Sequence, residues 1–317
     1  MNPFQQLRHW FAAGADHGPA ATGSQSSDLL ASLLNMAWFV EARDPYTGGH
    51  LWRVSRYARM LAESSGFSDA DAARIGLGGF LHDLGKVGVP DAILRKPASL
   101  NDEEYAVIKT HPDIGMRMLS GHPLRQLVSD AVLLHHERPD GMGYPRGLSG
   151  AAIPAMASIV GICDAFDAMT SHRPYRPGMP RDLALGIIRE LRHTQFDAGF
   201  ADIFIDLGEA GHLDQVIGHS DDGIPLQSCP MCGPTLVVRR EDKEGASLFC
   251  RNCGDGFVLK NQDGCLAAIP TGKQGSAADL EPETDIALIA RTVRTAVQAL
   301  PVADLIKTSA IPIGNVR

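Results

Sequence analysis

The 317-residue chain has no uninterrupted apolar run of about 18 residues, so no membrane span is expected. Its first residues, MNPFQQLRHWFAAG, lack the charged start and long apolar stretch of a secretory signal. A basic surplus is also missing. The 29 Lys and Arg stand against 37 Asp and Glu, a net charge of −8, which does not favour broad attraction to nucleic acid or anionic membrane. Cysteine is scarce, six residues in all, and four of them form two C-x-x-C pairs, a spacing that suits a metal better than a disulfide framework. Nothing before residue 220 alternates as a strand would, and no internal repeat is visible. A cytoplasmic protein is the simplest reading of these absences.

Apolar residues make up 44% of the chain and charged residues 21%, ample for a buried core in one domain of roughly 200 residues with a smaller unit beside it. The expected class is mainly all-α. A Gly/Ala/Ser-rich tail covers 1–25, and helical patterns recur at 29–41, 47–63, 69–82, 102–119, 122–136, 156–170 and 181–194. In the second of these, Leu51, Val54, Ala58 and Leu61 form the apolar stripe, and Arg53, Arg56 and Arg59 lie off it. A Gly/Pro-rich loop, ERPDGMGYPRGLSGAAIP, separates two of the helices. The helical domain spans 26–215, followed by a linker (216–228), a small β unit around the cysteines (229–266), a second linker (267–282), and a C-terminal helix and tail (283–317). That last helix is expected either to pack back on the helical domain or to mediate a homodimer.

Seven side chains on or at the ends of these helices suit divalent metals: His50, His82, Asp83, His111, His135, His136 and Asp164. Taken singly, each has a plain explanation, because a lone helical histidine is usually a surface or hydrogen-bonded core residue. Asp83, with two oxygens, is suited to bridge two ions. Lys86 is either a solvated helix-end charge or a contact for a phosphate oxygen, and Arg173 and Arg176 either flank a Pro-rich turn or add phosphate contacts. Cys163 reads as a small buried apolar residue.

The segments EARDPYTGGHLWRV, FLHDLGKVGVPDAILRKPASLNDEEYAVIKTHP, LLHHERPDGMGYP and IVGICDAFDAMTSHRPYR resemble the HD-GYP family. The resemblance runs from about residue 30 to 208 and includes His82-Asp83 and Gly143-Tyr144-Pro145. It implies an HD-type helical fold and a metal-dependent phosphodiesterase that opens cyclic di-GMP to pGpG and, in some members, continues to GMP. It implies two divalent ions, Fe or Mn, on the seven residues just named, Asp83 and Lys86 in the catalytic centre, and phosphate contacts from Lys86, Arg173 and Arg176. Gly143, Tyr144 and Pro145 are implied near the substrate, Tyr144-Pro145 as a stacking face or simply as a turn. Tyr46 stands where some members carry a carboxylate for a third metal, and Asp44 is two residues away, so two metals are expected. A broader HD phosphohydrolase acting on another cyclic nucleotide, or a sensor of cyclic di-GMP that docks a protein, are the rival readings. The GYP loop is also a proposed docking surface in the family for GGDEF-type cyclases.

Cys229-x-x-Cys232 and Cys250-x-x-Cys253, with the 17 residues 233–249 between them, have the spacing of a four-cysteine zinc ribbon. Cys232-Gly233 and Cys253-Gly254 fit knuckle turns, and Cys265 is a bystander. So small a unit cannot bury much core, and one Zn would supply much of its folding energy. Arg239, Arg240 and Lys243 alternate with Glu241, Asp242 and Glu244, and Phe249 and Phe257 read as core, so the ribbon is expected to touch protein rather than nucleic acid.

Overall fold

The computed structural model describes residues 21–43, 48–96, 98–172, 176–281 and 284–300. Ten α-helices are described before the first strand: α1 (Ala21–Arg43), α2 (His50–Ser64), α3 (Asp69–Leu81), α4 (Asp91–Leu94), α5 (Asp102–Ile108), α6 (His111–Met118), α7 (Arg125–Leu134), α8 (Ala155–Thr170), α9 (Arg181–Leu191) and α10 (Ala198–Glu209). All but α4 and α5 turn apolar faces into one core that includes Leu33, Tyr57, Phe80, Val128, Phe166 and Phe204. Tyr57, Phe166 and Phe204 pack edge to face, at ring separations of 5.0–6.2 Å. None of the described helices is long and apolar enough to cross a membrane.

Local chemistry explains where these helices start. Ser68 accepts from Asp71 N ahead of α3, and Asp197 accepts from Phe200 N ahead of α10. Asn101 and Glu104 form a reciprocal capping box at α5. The single helix expected over 102–119 is two, α5 and α6, broken at Lys109-Thr110. Pro112 has no N–H to give the carbonyl of Ile108, and that carbonyl instead accepts Nδ1 of His111 at 2.8 Å. The expected helix over 181–194 stops at Leu191, and His193 has a φ of 71°.

The segment expected as a linker over 216–228 contains a hairpin, β1 (His219–Asp221) with β2 (Ile224–Pro225). Two further sheets follow: β3 (Gln227–Cys229) with β4 (Gly233–Leu236), and β5 (Ser247–Phe249), β6 (Asp255–Gln262) and β7 (Cys265–Gln274) in that order. β7 runs through the first half of the expected second linker. It pairs with β6 through Asp263-Gly264, both at positive φ, the backbone that a two-residue hairpin turn demands. The last described helix, α11 (Ile286–Ala299), turns Leu288, Ile289, Val293 and Ala296 into the main helical core against α1 and α3.

Candidate functional site

Both adjacent ligand pairs of the sequence stand where a helix ends. His82 caps α3 and His135 caps α7, so the chain is already turning at Asp83 and His136 and neighbouring side chains converge. His50 and His111 open α2 and α6, and Asp164 projects from α8. The seven residues come together as two trios around one carboxylate. His50, His82 and Asp164 have donor atoms within 4.8 Å of one another, as do His111, His135 and His136. Asp83 lies between them. Its Oδ2 is 3.7 Å from His50 Nε2 and 3.4 Å from His82 Nε2, while Oδ1 is 3.5 Å from His111 Nε2.

Four imidazoles are held from behind. Nδ1 donates to Gly79 O in His82 (2.7 Å), to Ile108 O in His111 (2.8 Å), to Ala131 O in His135 (2.7 Å) and to Asp167 Oδ2 in His50 (2.8 Å). A carbonyl only accepts, so in His82, His111 and His135 the proton sits on Nδ1 and the Nε2 lone pair faces inward, whereas His50, between the carboxylates Asp167 and Asp83, is protonated until a cation takes its Nε2. The Nε2 atoms of His111 and His135 face each other at 3.3 Å, and Nε2 of fully buried His82 has no hydrogen-bond partner. Converging lone pairs and carboxylates are costly unless a cation shares them. Ligands at about 2.0–2.2 Å from one ion lie roughly 3–3.5 Å apart, close to the separations here. The residues fit a pair of divalent ions.

The electrostatics agree with that fit. Burial, together with neighbouring histidines, lowers His135 well below its usual value, His111 to about 4 and His136 to about 3, so all three are neutral donors at pH 7. Burial alone would raise the Asp83 carboxyl, but Lys86, His82 and His50 outweigh it and hold it well below the carboxylate range. In His50, burial is outweighed by Asp167 and Asp83, and its pKa rises to about 10.

Lys86 Nζ donates to Asp83 Oδ2 at 2.5 Å, one turn from the centre. Tyr144 stacks on His136, with centroids 4.6 Å apart and planes at 27°, and its N donates to His136 O. The loop fits because Gly143 lies against the backbone of His136–Arg138, where a Cβ would stand 2.5–2.6 Å from three main-chain atoms. Glu137 accepts from Arg146 N and Leu148 N, and Pro145 follows Tyr144 through a cis peptide bond. The Nη groups of Arg176 donate to Ala168 O and Met169 O, satisfying carbonyls at the end of α8 with two of its five N–H donors. Arg173, Tyr46 and Asp44 lie outside the described residues.

Three residues behind the centre escaped the sequence reading. Glu41 accepts from Gly49 N and Leu51 N and caps α2 from another helix. Asp167 holds His50, and Arg53, off the apolar stripe, is 1% exposed rather than solvated. Both sit three residues from a ligand, Asp167 after Asp164 and Arg53 after His50, one helical turn away; that spacing was the available signal.

The second cluster is Cys229, Cys232, Cys250 and Cys253, whose sulfurs lie within 4.8 Å of one another and form no disulfide. Gly233 and Gly254 turn the knuckles at φ of 79° and 80°. Burial pushes the Cys232 thiol up to about 11 and raises Cys253 as well, whereas hydrogen bonds, led by Cys253 N, outweigh burial at Cys250 and lower it. Four sulfurs 2.3 Å from a tetrahedral ion would be about 3.8 Å apart, and Cys229 and Cys253 are separated by 3.6 Å. Apart from cysteine, only Leu236 and Phe257 are fully buried in this cluster. Cys265 is exposed and outside it, and Cys163 is buried within α8.

A model described as the HD domain matches residues 34–199, which include all seven ligand candidates and end before the hairpin and the cysteines. The chain is 41% identical over 189 residues to the "Cyclic di-GMP phosphodiesterase response regulator RpfG" of Xanthomonas campestris pv. campestris (strain 8004), covering 59% of this chain and 50% of that protein. It is 41% identical over 177 residues to a "Cyclic di-GMP phosphodiesterase" of Thermotoga maritima, covering 55% and 48%. It is also 40% identical over 158 residues to the "3'3'-cGAMP-specific phosphodiesterase 3" of Vibrio cholerae, covering 50% and 34%. The chain thus spans about half the length, or less, of these curated relatives.

Proposed function

The chain belongs to the HD domain family, and from that premise we propose that it is a two-metal phosphodiesterase that hydrolyses a cyclic dinucleotide, cyclic di-GMP, to linear pGpG. The observation that carries this reading is Asp83, whose two oxygens face different histidine trios. His50, His82 and Asp164 would hold one ion, His111, His135 and His136 the other, with Asp83 shared. When bound, Fe or Mn supplies Lewis-acid polarisation of a phosphoryl oxygen and activation of water at neutral pH.

The protein's own groups do the rest. The Nδ1 bonds to Gly79, Ile108, Ala131 and Asp167 hold the four rings with Nε2 turned toward the centre, so their orientation is set before it fills. Lys86, already paired with Asp83, is the cation nearest the centre for a non-bridging phosphate oxygen. Arg173 is a further phosphate contact in this reading. Tyr144 walls the His136 side and restricts access of bulk water. The four cysteines hold one Zn, and reduced thiols suit a cytoplasmic setting. A second substrate, 3'3'-cGAMP, is supported by the Vibrio cholerae relative named for it.

The test is hydrolysis of both dinucleotides by protein loaded anaerobically with Fe(II) or Mn(II), beside Asp83→Ala. Turnover of cyclic di-GMP that vanishes in Asp83→Ala is expected. Preferential turnover of 3'3'-cGAMP would move the substrate to the second reading. Binding without turnover in fully loaded protein would refute the enzyme and leave a sensor.

A further inference from the structure

Arg53 has five N–H donors, and all five are used. Nε and Nη2 make paired bonds to Asp167 Oδ1 (2.6 Å) and Oδ2 (3.0 Å), and the second Nη2 proton reaches Ser171 Oγ at 3.1 Å. Nη1 donates to Gly48 O at 2.8 Å and, across a gap of 166 residues, to His219 O at 3.0 Å. The same Asp167 accepts Nδ1 of His50. A buried chain of contacts therefore joins the β1–β2 hairpin to one ligand candidate through a guanidinium and a carboxylate.

The β1–β2 hairpin and the cysteine unit both press on the same region. A Cβ on Gly49, which caps α2 ahead of His50, would stand 2.7 Å from Ser220 Cα, and one on Gly48 2.7 Å from Val237 Cγ2. Ser220 Oγ lies 3.4 Å from Val238 O, two residues past β4, and equally far from Ile224 O of its own hairpin, so its one proton is shared between them. That knuckle's Gly233 lies against His172, next to the Ser171 that Arg53 contacts. The other trio is anchored differently, by carbonyls of Ile108 and Ala131 within the helical domain.

We propose that Arg53 is a positioning residue through which the four-cysteine unit sets the metal affinity of the His50–His82–Asp164 trio, leaving the His111–His135–His136 trio largely independent. The inference rests on the reading of the two trios as a metal centre. Lys at position 53 keeps the charge but loses the planar fork that grips Asp167 and His219 together. Outer partners of metal-bound histidines change affinity by about 10–100-fold when altered.

Mn(II) titration of the full chain, followed by EPR, separates the possibilities because two adjacent Mn(II) ions give a coupled spectrum and a single ion an isolated one. Wild type is expected to bind two. Arg53→Lys is expected to weaken one position by at least tenfold and to show the isolated spectrum at intermediate Mn(II). Cys232→Ser with Cys253→Ser should weaken the same position, and the combination with Arg53→Lys should add little. Arg59→Lys, on a surface pair with Glu63, should leave both positions unchanged. If Arg53→Lys does not fold, the cysteine variant decides alone. Unaltered titration, equal weakening of both positions, or additive effects would overturn the proposal. Wild type that binds no Mn(II) would instead overturn the reading of the centre, and this inference with it.

Discussion

Replacing Gly143 by Ala adds one methyl group at a place with no room for it. The new Cβ would stand 2.5 Å from Arg138 N, 2.6 Å from Glu137 Cα and 2.6 Å from His136 O, and real Cβ contacts essentially never fall below 3.0 Å. All three neighbours are backbone, so no side chain can swing aside. Two routes of relief are open. If the loop stays in place, overpacking costs about 1–3 kcal/mol. If it lifts away, it loses the Tyr144–His136 stack, about 0.5–1.5 kcal/mol, and the Tyr144 N to His136 O bond, about 1 kcal/mol. The cheaper route sets the penalty, and both come to about 2 kcal/mol. For a domain of this size that is a fall in melting temperature of roughly 4–8 °C. Lifting also uncovers His136, so turnover of the metal-loaded protein should fall further, by about 10–100-fold for a displacement approaching 1 Å. The internal contrast is Gly186→Ala within α9, where a Cβ meets nothing within 4 Å. There the same methyl should stabilise by about 0.5–1 kcal/mol by restricting the unfolded chain. Thermal melts of the two variants against wild type are the assay. A Gly143→Ala protein that melts within a degree of wild type would refute the steric argument.

Two further outcomes concern the metal sites. Stripped of metal, the protein should lose stability as pH falls from about 6.5 toward 4. In that window the unfolded chain protonates His111 and His136, while the folded chain, with values of about 4 and 3, does not. His50 acts oppositely: raised to about 10, it contributes stability below 6.5 that fades as pH climbs toward 10. Urea midpoints against pH should therefore peak near 6.5, and a flat profile between 6.5 and 4.5 would contradict the burial of these imidazoles. Chelation of the ion on the cysteines should open residues 227–262 to proteolysis while the helical circular dichroism persists, because the cluster around the four sulfurs adds only Leu236 and Phe257 as fully buried side chains. Continued resistance after metal loss would mean that the unit folds without it.

Much of the centre was legible from the order and wording of the segments that carry it, since His82-Asp83 and His135-His136 taken alone have plain explanations, and the structure brings all seven together. Helix existence was legible for a different reason, a repeating apolar face. What escaped depends on partners distant in sequence. Arg53 lies off the apolar stripe of α2, and only the fold supplies Asp167, Ser171 and His219 to bury it. The anchoring of Arg176 on carbonyls at the end of α8 is likewise supplied only by the fold. The break at Pro112 and the Asp263-Gly264 hairpin are different. Both are local signals, and a long apolar pattern in one case and a polar composition in the other masked them. α10 went unassigned although Asp197 caps it and Ala201, Phe204, Ile205 and Gly208 are buried along it.

The return of α11 to α1 has a consequence for how the protein is made. Leu30, Leu33 and Leu34 of α1 share a core with Leu288, Ile289 and Val293, some 250 residues later. At a synthesis rate of about 5–20 residues per second, α1 waits roughly 12–50 s for its last neighbour to leave the ribosome. During that interval the leucine face of α1 is incompletely covered while the His/Asp residues of the central helices already exist. A nascent chain stalled before residue 286 should therefore engage holdase chaperones more than the finished protein does. The helical half is translated first but closes last.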